Sequence, residues 1–143
     1  MTYPKPIITW RTDPAGRGWW LFLPLPPSDN DRLKPGWSGR RGRRMRMVPT
    51  VALEDFKLVA IMGLRTFARV MGYEAIKRTV YLDLWVVLPN RRRDPSNCDK
   101  ALCDVLQHAG LVVNDRLLLP RYQGVGYDAE RPGVTVLLPR GGA

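Results

Sequence analysis

Cysteine, histidine and acidic residues are scarce in this 143-residue chain, which has two cysteines, one histidine and 13 acidic residues against 23 basic ones. Two cysteines are too few for a disulfide-stabilised scaffold. Cys98 and Cys103 fall in one predicted helix and point about 140° apart around its axis, so we do not expect a bond between them. This pattern favours a reducing, cytoplasmic compartment.

Long apolar runs are also missing. No uncharged stretch approaches the roughly 20 residues that a membrane-spanning helix needs. Residues 1–11 lack the basic-then-apolar layout of a signal peptide. The hydrophobic content of 45% is nevertheless ordinary for a folded protein, and the length fits one domain. We therefore expect a single domain and no membrane partner.

The basic excess amounts to a formal net charge of +10, and it is concentrated early in the chain. Residues 1–50 have a net charge of +7, whereas residues 101–143 are neutral. Such a surface attracts polyanions such as nucleic acids. The densest part, residues 31–49, contains glycines and prolines that favour neither helix nor strand. We interpret it as a mobile basic loop that grips phosphates, with a solvated charged loop as the alternative. Its expected nucleic-acid-binding arginines are Arg40, Arg41, Arg43, Arg44 and Arg46.

Hydrophobic periodicity predicts the regular elements. Helical spacing covers Thr50–Met71 and the segment from Asp94 to Ala109. Alternation of apolar and polar residues, or short apolar runs, predicts about four strands. We expect an α+β fold with a mixed sheet and two helices packed on one face, formed by residues 19–143 after a loosely packed N-terminal extension, residues 1–18. The predicted strands are Trp19–Pro24, Arg78–Leu88, Leu117–Val125 and Gly133–Leu138.

The sheet face that the helices do not cover must also be shielded from solvent. Tyr81, Trp85 and Val87 alternate along the long strand on that face. They could supply the contact of a homodimer.

The segment between the long strand and the second helix carries the candidate site. Asp94 follows three arginines and precedes Pro95, so it is well placed to cap the helix, and that purely structural role is its simplest interpretation. Asp115 follows the helix, and we expect the returning chain to bring it near Asp94. The preceding arginines are Arg91, Arg92 and Arg93. The polar stripe of the helix consists of Asn97, Lys100, Asp104 and Gln107.

Two facing carboxylates repel each other, so such a pair usually needs a cation. Oxygen ligands beside a phosphate favour Mg²⁺, with Mn²⁺ as a further possibility. We therefore expect Asp94 and Asp115 to bind a metal ion in a basic setting.

These residues resemble the RusA family of Holliday-junction resolvases. The PPS-x-N turn begins at Pro26, and the basic run with D-x-x-N-x-x-K covers Arg91–Lys100. The pair Ala109 and Gly110 is followed by the acidic residue Asp115. Order and spacing agree over most of the chain.

The resemblance implies a small, homodimeric, metal-dependent endonuclease that cuts four-way DNA junctions in recombination and repair. It also implies a bacterial or prophage setting in the cytoplasm, at the nucleoid. Arg91, Arg92 and Arg93 would bind DNA. The family's catalytic residues correspond to Asp94, Ser96, Asn97, Lys100 and Asp115.

Two positions depart from the family pattern. Ser96 stands where many members have a second aspartate, and Asn114 stands where the later acidic pair often begins. Asp99 is a candidate substitute for the missing carboxylate, although it would lie on another side of the first helical turn. Two alternatives follow: a branched-DNA-binding protein with weak or no cleavage, and an RNA-binding protein that uses the same basic loop.

Overall fold

The protein is described by a computed structural model of residues 8–27, 33–38 and 44–142, and side chains are described except at residues 33–38, 44–49, 96 and 97. Within these ranges the chain forms seven strands and two α-helices. They are β1 (Thr9–Thr12), β2 (Gly18–Leu23), β3 (Leu33–Ser38), β4 (Arg44–Pro49), α1 (Val51–Met71), β5 (Val80–Leu88), α2 (Asp99–His108), β6 (Leu118–Tyr127) and β7 (Gly133–Pro139). Short 3₁₀ turns at Pro95–Cys98 and Asp115–Leu117 precede α2 and β6.

Five strands form one mixed sheet in the order β1-β2-β7-β5-β6, and β3 pairs with β4 in a separate hairpin. Neighbours in the sheet are antiparallel except β5 and β6, which run parallel. A parallel pair needs a crossover connection, and α2 lies in that connection. Val80 therefore lies opposite Leu118 at one end of the pair, and Leu88 lies opposite Tyr127 at the other.

The core lies between one face of this sheet and the two helices, so the predicted α+β class is confirmed. Alternate residues of β5 point into it and are buried, whereas their neighbours lie on the opposite face. Each helix contributes one apolar stripe. The buried side chains of β5 are Leu82, Leu84, Val86 and Leu88. Neither helix of the described chain combines the length and apolar character that a bilayer crossing requires.

Helix α1 begins and ends where its sequence predicts. The Thr50 side chain accepts a hydrogen bond from the Leu53 N–H at 3.2 Å and caps the first turn. Gly72 ends the helix in the left-handed conformation, with φ of 62°. The second helix differs slightly from the predicted one. The helical chain begins after Asp94 as a 3₁₀ turn and becomes α-helical at Asp99.

The predicted loosely packed extension is wrong for the described part of residues 1–18. Strand β1 pairs with β2 along its whole length. Trp10 packs edge-on against Phe67 of α1 with ring centroids 5.4 Å apart. Ile8 is buried against Gly63, where an added Cβ would lie 2.7 Å from Ile8 Cδ1. The prolines and charges of this segment obscured a short run of β-branched and aromatic residues that favours a strand.

The basic segment also differs from the prediction, because β3 and β4 form an antiparallel hairpin where a loop without strands was expected. In the sequence, Gly39 and Gly42 stand between the two strands, and glycines between two strands favour a hairpin turn. Pro35 and Gly36 are tolerated because both strands of a two-stranded sheet are edges. Arg40, Arg41 and Arg43 lie outside the described residues, and only the backbone of Arg44 and Arg46 is described.

Candidate functional site

The polar stripe predicted for α2 is present where its side chains are described. Lys100 is exposed, and Asp104 and Gln107 are half-buried on the side of the helix away from the core. The backbone of Ser96 and Asn97 belongs to the 3₁₀ turn before the helix, and their side chains lie outside the described residues. The stripe thus runs along the crossover between β5 and β6.

Asp115 is the first residue of the 3₁₀ turn that leads into β6, and it is half-buried. Its N–H donates to Gln107 Oε1 at 2.7 Å, which fastens the turn to the C-terminal end of α2. The Asn114 side chain accepts from the Arg116 N–H at 3.0 Å and caps the same turn. Two side-chain amides therefore hold the backbone that carries Asp115.

Gln107 is a site residue that sequence reasoning placed on the stripe without a role. Because the Asp115 N–H is a donor, the oxygen of the Gln107 amide must face it, so the orientation of this amide is settled. The bond depends on how the chain returns between residues 109 and 114. The periodic pattern of residues along a helix does not predict the path of this connection.

Near Asp94, the three arginines differ in their surroundings. Arg91 is exposed and its guanidinium lies 4.7 Å from the centre of the Tyr127 ring. Arg92 is exposed as well. Arg93 is half-buried and donates to the Pro26 carbonyl and, at 3.8 Å, to Cys98 Sγ. Its guanidinium ties the segment after β2 to the start of the crossover, a structural role that differs from the predicted DNA contact.

Within one chain, Asp94 and Asp115 lie toward opposite ends of α2. Asp94 precedes the 3₁₀ turn that enters the helix, whereas Asp115 is bonded to Gln107 in its last turn. At 1.5 Å per residue, the helix advances about 12 Å from Asp99 to Gln107. The expected approach of the two carboxylates is therefore not met in a single chain. Among the described residues, no group of three or more histidine, cysteine, aspartate or glutamate residues is placed to hold a metal ion.

Asp99 does not extend this site. Its carboxylate accepts a hydrogen bond from the Tyr122 hydroxyl of β6. The side chain is therefore turned toward the sheet, which argues against Asp99 as a substitute for the carboxylate missing at Ser96.

The sheet face without helices carries a second group of charges. Arg121 binds Asp83 at 2.6 and 3.1 Å and lies 4.2 Å from the centre of the Tyr81 ring. The guanidinium of Arg121 lowers the pKa of Asp83. Trp85 packs against Trp20 with ring centroids 5.0 Å apart. Whether this face forms the expected dimer contact stays a prediction.

Asp13 belongs to the same face and is 3% exposed. It accepts hydrogen bonds from Arg17 Nε at 2.8 Å and from Trp20 Nε1 at 3.0 Å. The Arg17 guanidinium holds the pKa of this carboxyl well below its usual range. Asp13 therefore fixes the turn between β1 and β2, and sequence reasoning did not single it out.

Comparison with known proteins gives an independent assignment. No family model matches the chain. The crossover junction endodeoxyribonuclease RusA of Aquifex aeolicus (strain VF5) is 34% identical over 115 residues, which cover 80% of this chain and 82% of that protein. The chain belongs to the RusA family of crossover junction endodeoxyribonucleases.

Proposed function

We propose that this protein is a structure-specific DNA endonuclease that resolves Holliday junctions and related branched DNA by paired nicks in opposing strands. The observation that carries the proposal is the similarity to a protein named crossover junction endodeoxyribonuclease over 80% of the chain. Asp94, Lys100 and Asp115 lie within the crossover between β5 and β6, which supports the same assignment. Paired nicks need two sites, so the active form is a homodimer in this proposal.

Asp94 and Asp115 would hold Mg²⁺, or Mn²⁺ in its place. Carboxylate oxygens suit such hard ions, so the donor chemistry fits, whereas the positions of the two residues in one chain do not. A bound ion would supply Lewis-acid stabilisation of the phosphate and an activated water.

In this proposal, the remaining polar residues stabilise the phosphate or position the two carboxylates and a water molecule. Lys100 is exposed, so its ammonium can reach the scissile phosphate and stabilise charge that develops there. By the family resemblance, Asn97 would position Asp94 or a metal-bound water, and the Ser96 hydroxyl would hold a metal-bound water where a second aspartate is common in the family. Gln107 keeps Asp115 in place through its backbone.

Arg91 and Arg92 would grip the DNA backbone beside the site, because both are exposed and follow the end of β5. The arginines predicted from the basic segment would add further phosphate contacts; they are Arg40, Arg41, Arg43, Arg44 and Arg46. Such contacts position the protein without reading sequence. Replacing these five arginines with glutamine should flatten the dependence of affinity on salt while the metal requirement is unchanged.

A second candidate function is binding of branched DNA with little or no cleavage. The serine at position 96 favours it, since the site then has one anionic ligand fewer. In that case the protein would bind a four-way junction without producing nicks. Ser96→Asp should then restore cleavage.

One experiment distinguishes the proposed nuclease from a protein that binds branched DNA without cleaving it. A labelled four-way junction and a linear duplex of the same sequence are incubated with the protein while Mg²⁺ or Mn²⁺ is titrated. We expect symmetric nicks in the junction, no cleavage of the duplex, and loss of nicking in Asp115→Asn. Junction binding without nicks, unchanged by Asp115→Asn, would rule out the enzyme, and equal affinity for structured RNA would point to an RNA-binding protein.

A further inference from the structure

We propose that Arg78 and Arg140 form a second phosphate-binding surface, which holds the backbone of one double-stranded arm of the DNA substrate. We call these two residues the arginine pair. The inference rests on the proposed function, because it concerns how the same DNA is held. The pair lies outside the basic segment and the family motifs, and residues 101–143 are neutral overall, so the sequence alone does not indicate it.

The arginine pair is assembled from two distant segments at one end of the five-stranded sheet. Arg78 lies two residues before β5, and Arg140 directly follows β7. Because β5 and β7 are antiparallel neighbours, the start of one strand and the end of the other lie side by side. Isolated bridges join Ile76 to Gly142 on one side and to Val112 on the other. The backbone that carries both arginines is therefore tied into the fold.

Hydrogen bonds to backbone carbonyls hold both guanidinium groups. Arg78 donates from Nη2 to the Arg140 carbonyl at 3.2 Å and from Nη1 to the Gly142 carbonyl at 3.4 Å. Arg140 donates from Nε to the Gly16 carbonyl at 3.2 Å, and its guanidinium lies 5.8 Å from the centre of the Trp19 ring. Both residues are nevertheless exposed. A side chain that is already held in place loses less conformational entropy when it binds a ligand.

Carbonyl acceptors hold these two groups without neutralising their charge. Within the described chain, neither Arg78 nor Arg140 forms an ion pair, whereas the neighbouring Arg17 is paired with Asp13 at 2.8 Å. The carboxylate of Glu74 lies at the same end, beside residue 142, and is paired with neither arginine. The remaining N–H donors of the pair are available to an anion with several oxygen acceptors. Arginine binds phosphate in this way, through parallel charge-assisted hydrogen bonds.

The spacing of the pair suits the backbone of a DNA strand. Neighbouring strands of a sheet are about 4.7–4.9 Å apart, and Arg78 and Arg140 extend from neighbouring strands. Phosphates of one DNA strand repeat about every 3.4 Å along the helix axis, so the pair can contact two successive phosphates. Asp115 precedes β6, the other neighbour of β5, at this same end of the sheet. DNA held by the pair would therefore pass the proposed site.

The arginine pair is well separated from the arginines that follow β5. Arg91 and Arg92 lie beyond Leu88, at the other end of that strand, and β5 extends over about 27 Å. DNA must therefore extend over roughly eight nucleotides to contact both surfaces. At this separation, substitutions at the two surfaces should have additive effects.

Junction binding tests the pair separately from cleavage. Anisotropy of a labelled four-way junction is measured at several salt concentrations in the presence of a chelator, so that no strand is cut. In Arg78→Gln/Arg140→Gln the slope of log affinity against log salt should decrease by about 1.8, because each phosphate contact contributes about 0.9. At about 0.1 M salt the affinity should fall roughly 10–100-fold. Adding Arg92→Gln should reduce the slope by about one more.

The matched control is Arg11→Gln/Arg121→Gln, which removes the same two charges from the open face. Arg121 already has Asp83 as a partner, and the Arg11 guanidinium lies 5.7 Å from the centre of the Phe22 ring. We expect the slope to change by less than about 0.5 in this control. An equal decrease in both double variants would reflect net charge alone and would overturn the inference.

Chemical protection provides a measurement on the unaltered protein, which does not depend on the stability of a variant. Phenylglyoxal modifies exposed arginines, and mass spectrometry gives the rate at each position. A bound junction should slow the modification of Arg78 and Arg140 and leave Arg11 unchanged. Equal rates at the pair with and without the junction would overturn the inference, as would equal protection by inorganic phosphate alone. If the junction protects the pair but is not nicked with Mg²⁺ or Mn²⁺, the proposed nuclease function fails and the DNA-binding surface stands.

Discussion

The two faces of the five-stranded sheet use charge in different ways. On the open face, Asp83 and Asp13 are each bound by an arginine of the same chain, at 2.6 and 2.8 Å. On the helix side, Gln107 holds Asp115 through its backbone N–H rather than through its carboxylate. The first arrangement stabilises the fold, and in the proposed function the second presents an acidic side chain for chemistry. Position in the fold, rather than residue type, separates the two.

The sharpest test of this comparison replaces one aspartate on each side. We expect Asp115→Asn to lower the junction-nicking rate by at least about 100-fold with little change in melting temperature, because even the loss of groups that support a metal ligand costs about 10–100-fold. Asp83→Asn should leave the nicking rate within about two-fold and lower the melting temperature. Comparable loss of nicking in both variants would contradict the distinction.

A smaller effect is expected for Gln107, the glutamine that bonds the Asp115 backbone. Gln107→Met removes the acceptor of the Asp115 N–H and should raise the Mg²⁺ concentration for half-maximal nicking about 10-fold. Hydrogen exchange of the Asp115 amide should become faster in the metal-free protein. Gln107→Glu keeps an acceptor and should restore slow exchange.

The matched variant is Gln123→Met, since Gln123 donates to Asp83 on the open face at 3.2 Å. It should change neither the Mg²⁺ dependence nor the Asp115 amide. If Gln107→Met merely lowered the melting temperature and left the Mg²⁺ titration unchanged, Gln107 would be a structural residue only.

Two adjacent arginines provide the next contrast. Arg93 bonds the Pro26 carbonyl and is half-buried, so Arg93→Gln should destabilise the fold by about 1–3 kcal/mol, as expected when a buried partner is left unsatisfied. Arg92 is exposed, and Arg92→Gln should keep the stability but reduce the slope of log affinity against log salt by about one. Urea denaturation and junction binding at several salt concentrations measure the two effects. The opposite assignment would place Arg93 on the DNA.

The smallest effect concerns acid stability of the open face. The pKa of Asp13 in the folded protein lies below its unfolded value because Arg17 binds the carboxylate. Its contribution to stability is therefore present above about pH 4 and is lost as the pH falls further. Melting curves of wild type and Asp13→Asn should differ at pH 7 and converge below pH 4. A difference that stays constant down to pH 2 would show that the ion pair is not its source.

The regular elements near the core followed from local pattern. Thr50, Gly72 and the apolar stripe of α1 are all local signals, and each has the predicted role. Strand β1 was missed because its four residues lie between prolines and charged residues. Its Trp10 and the preceding Ile8 pack on Phe67 and Gly63, more than 50 positions away. The hairpin of β3 and β4 was also missed, because glycines are common both in irregular loops and in hairpin turns, and their presence alone does not distinguish the two.

The candidate site also combines features that local sequence predicts with features that only long-range packing decides. The sequence by itself determined the α+β class, the basic surface and the family residues Asp94, Lys100 and Asp115, because periodicity, charge and short motifs are properties of neighbouring positions. Only the tertiary structure decided that Asp94 and Asp115 lie apart, that Gln107 holds Asp115, and that Arg93 faces inward. Each of these depends on the parallel pairing of β5 with β6 or on contacts between distant segments, and such long-range packing has no local periodic signal.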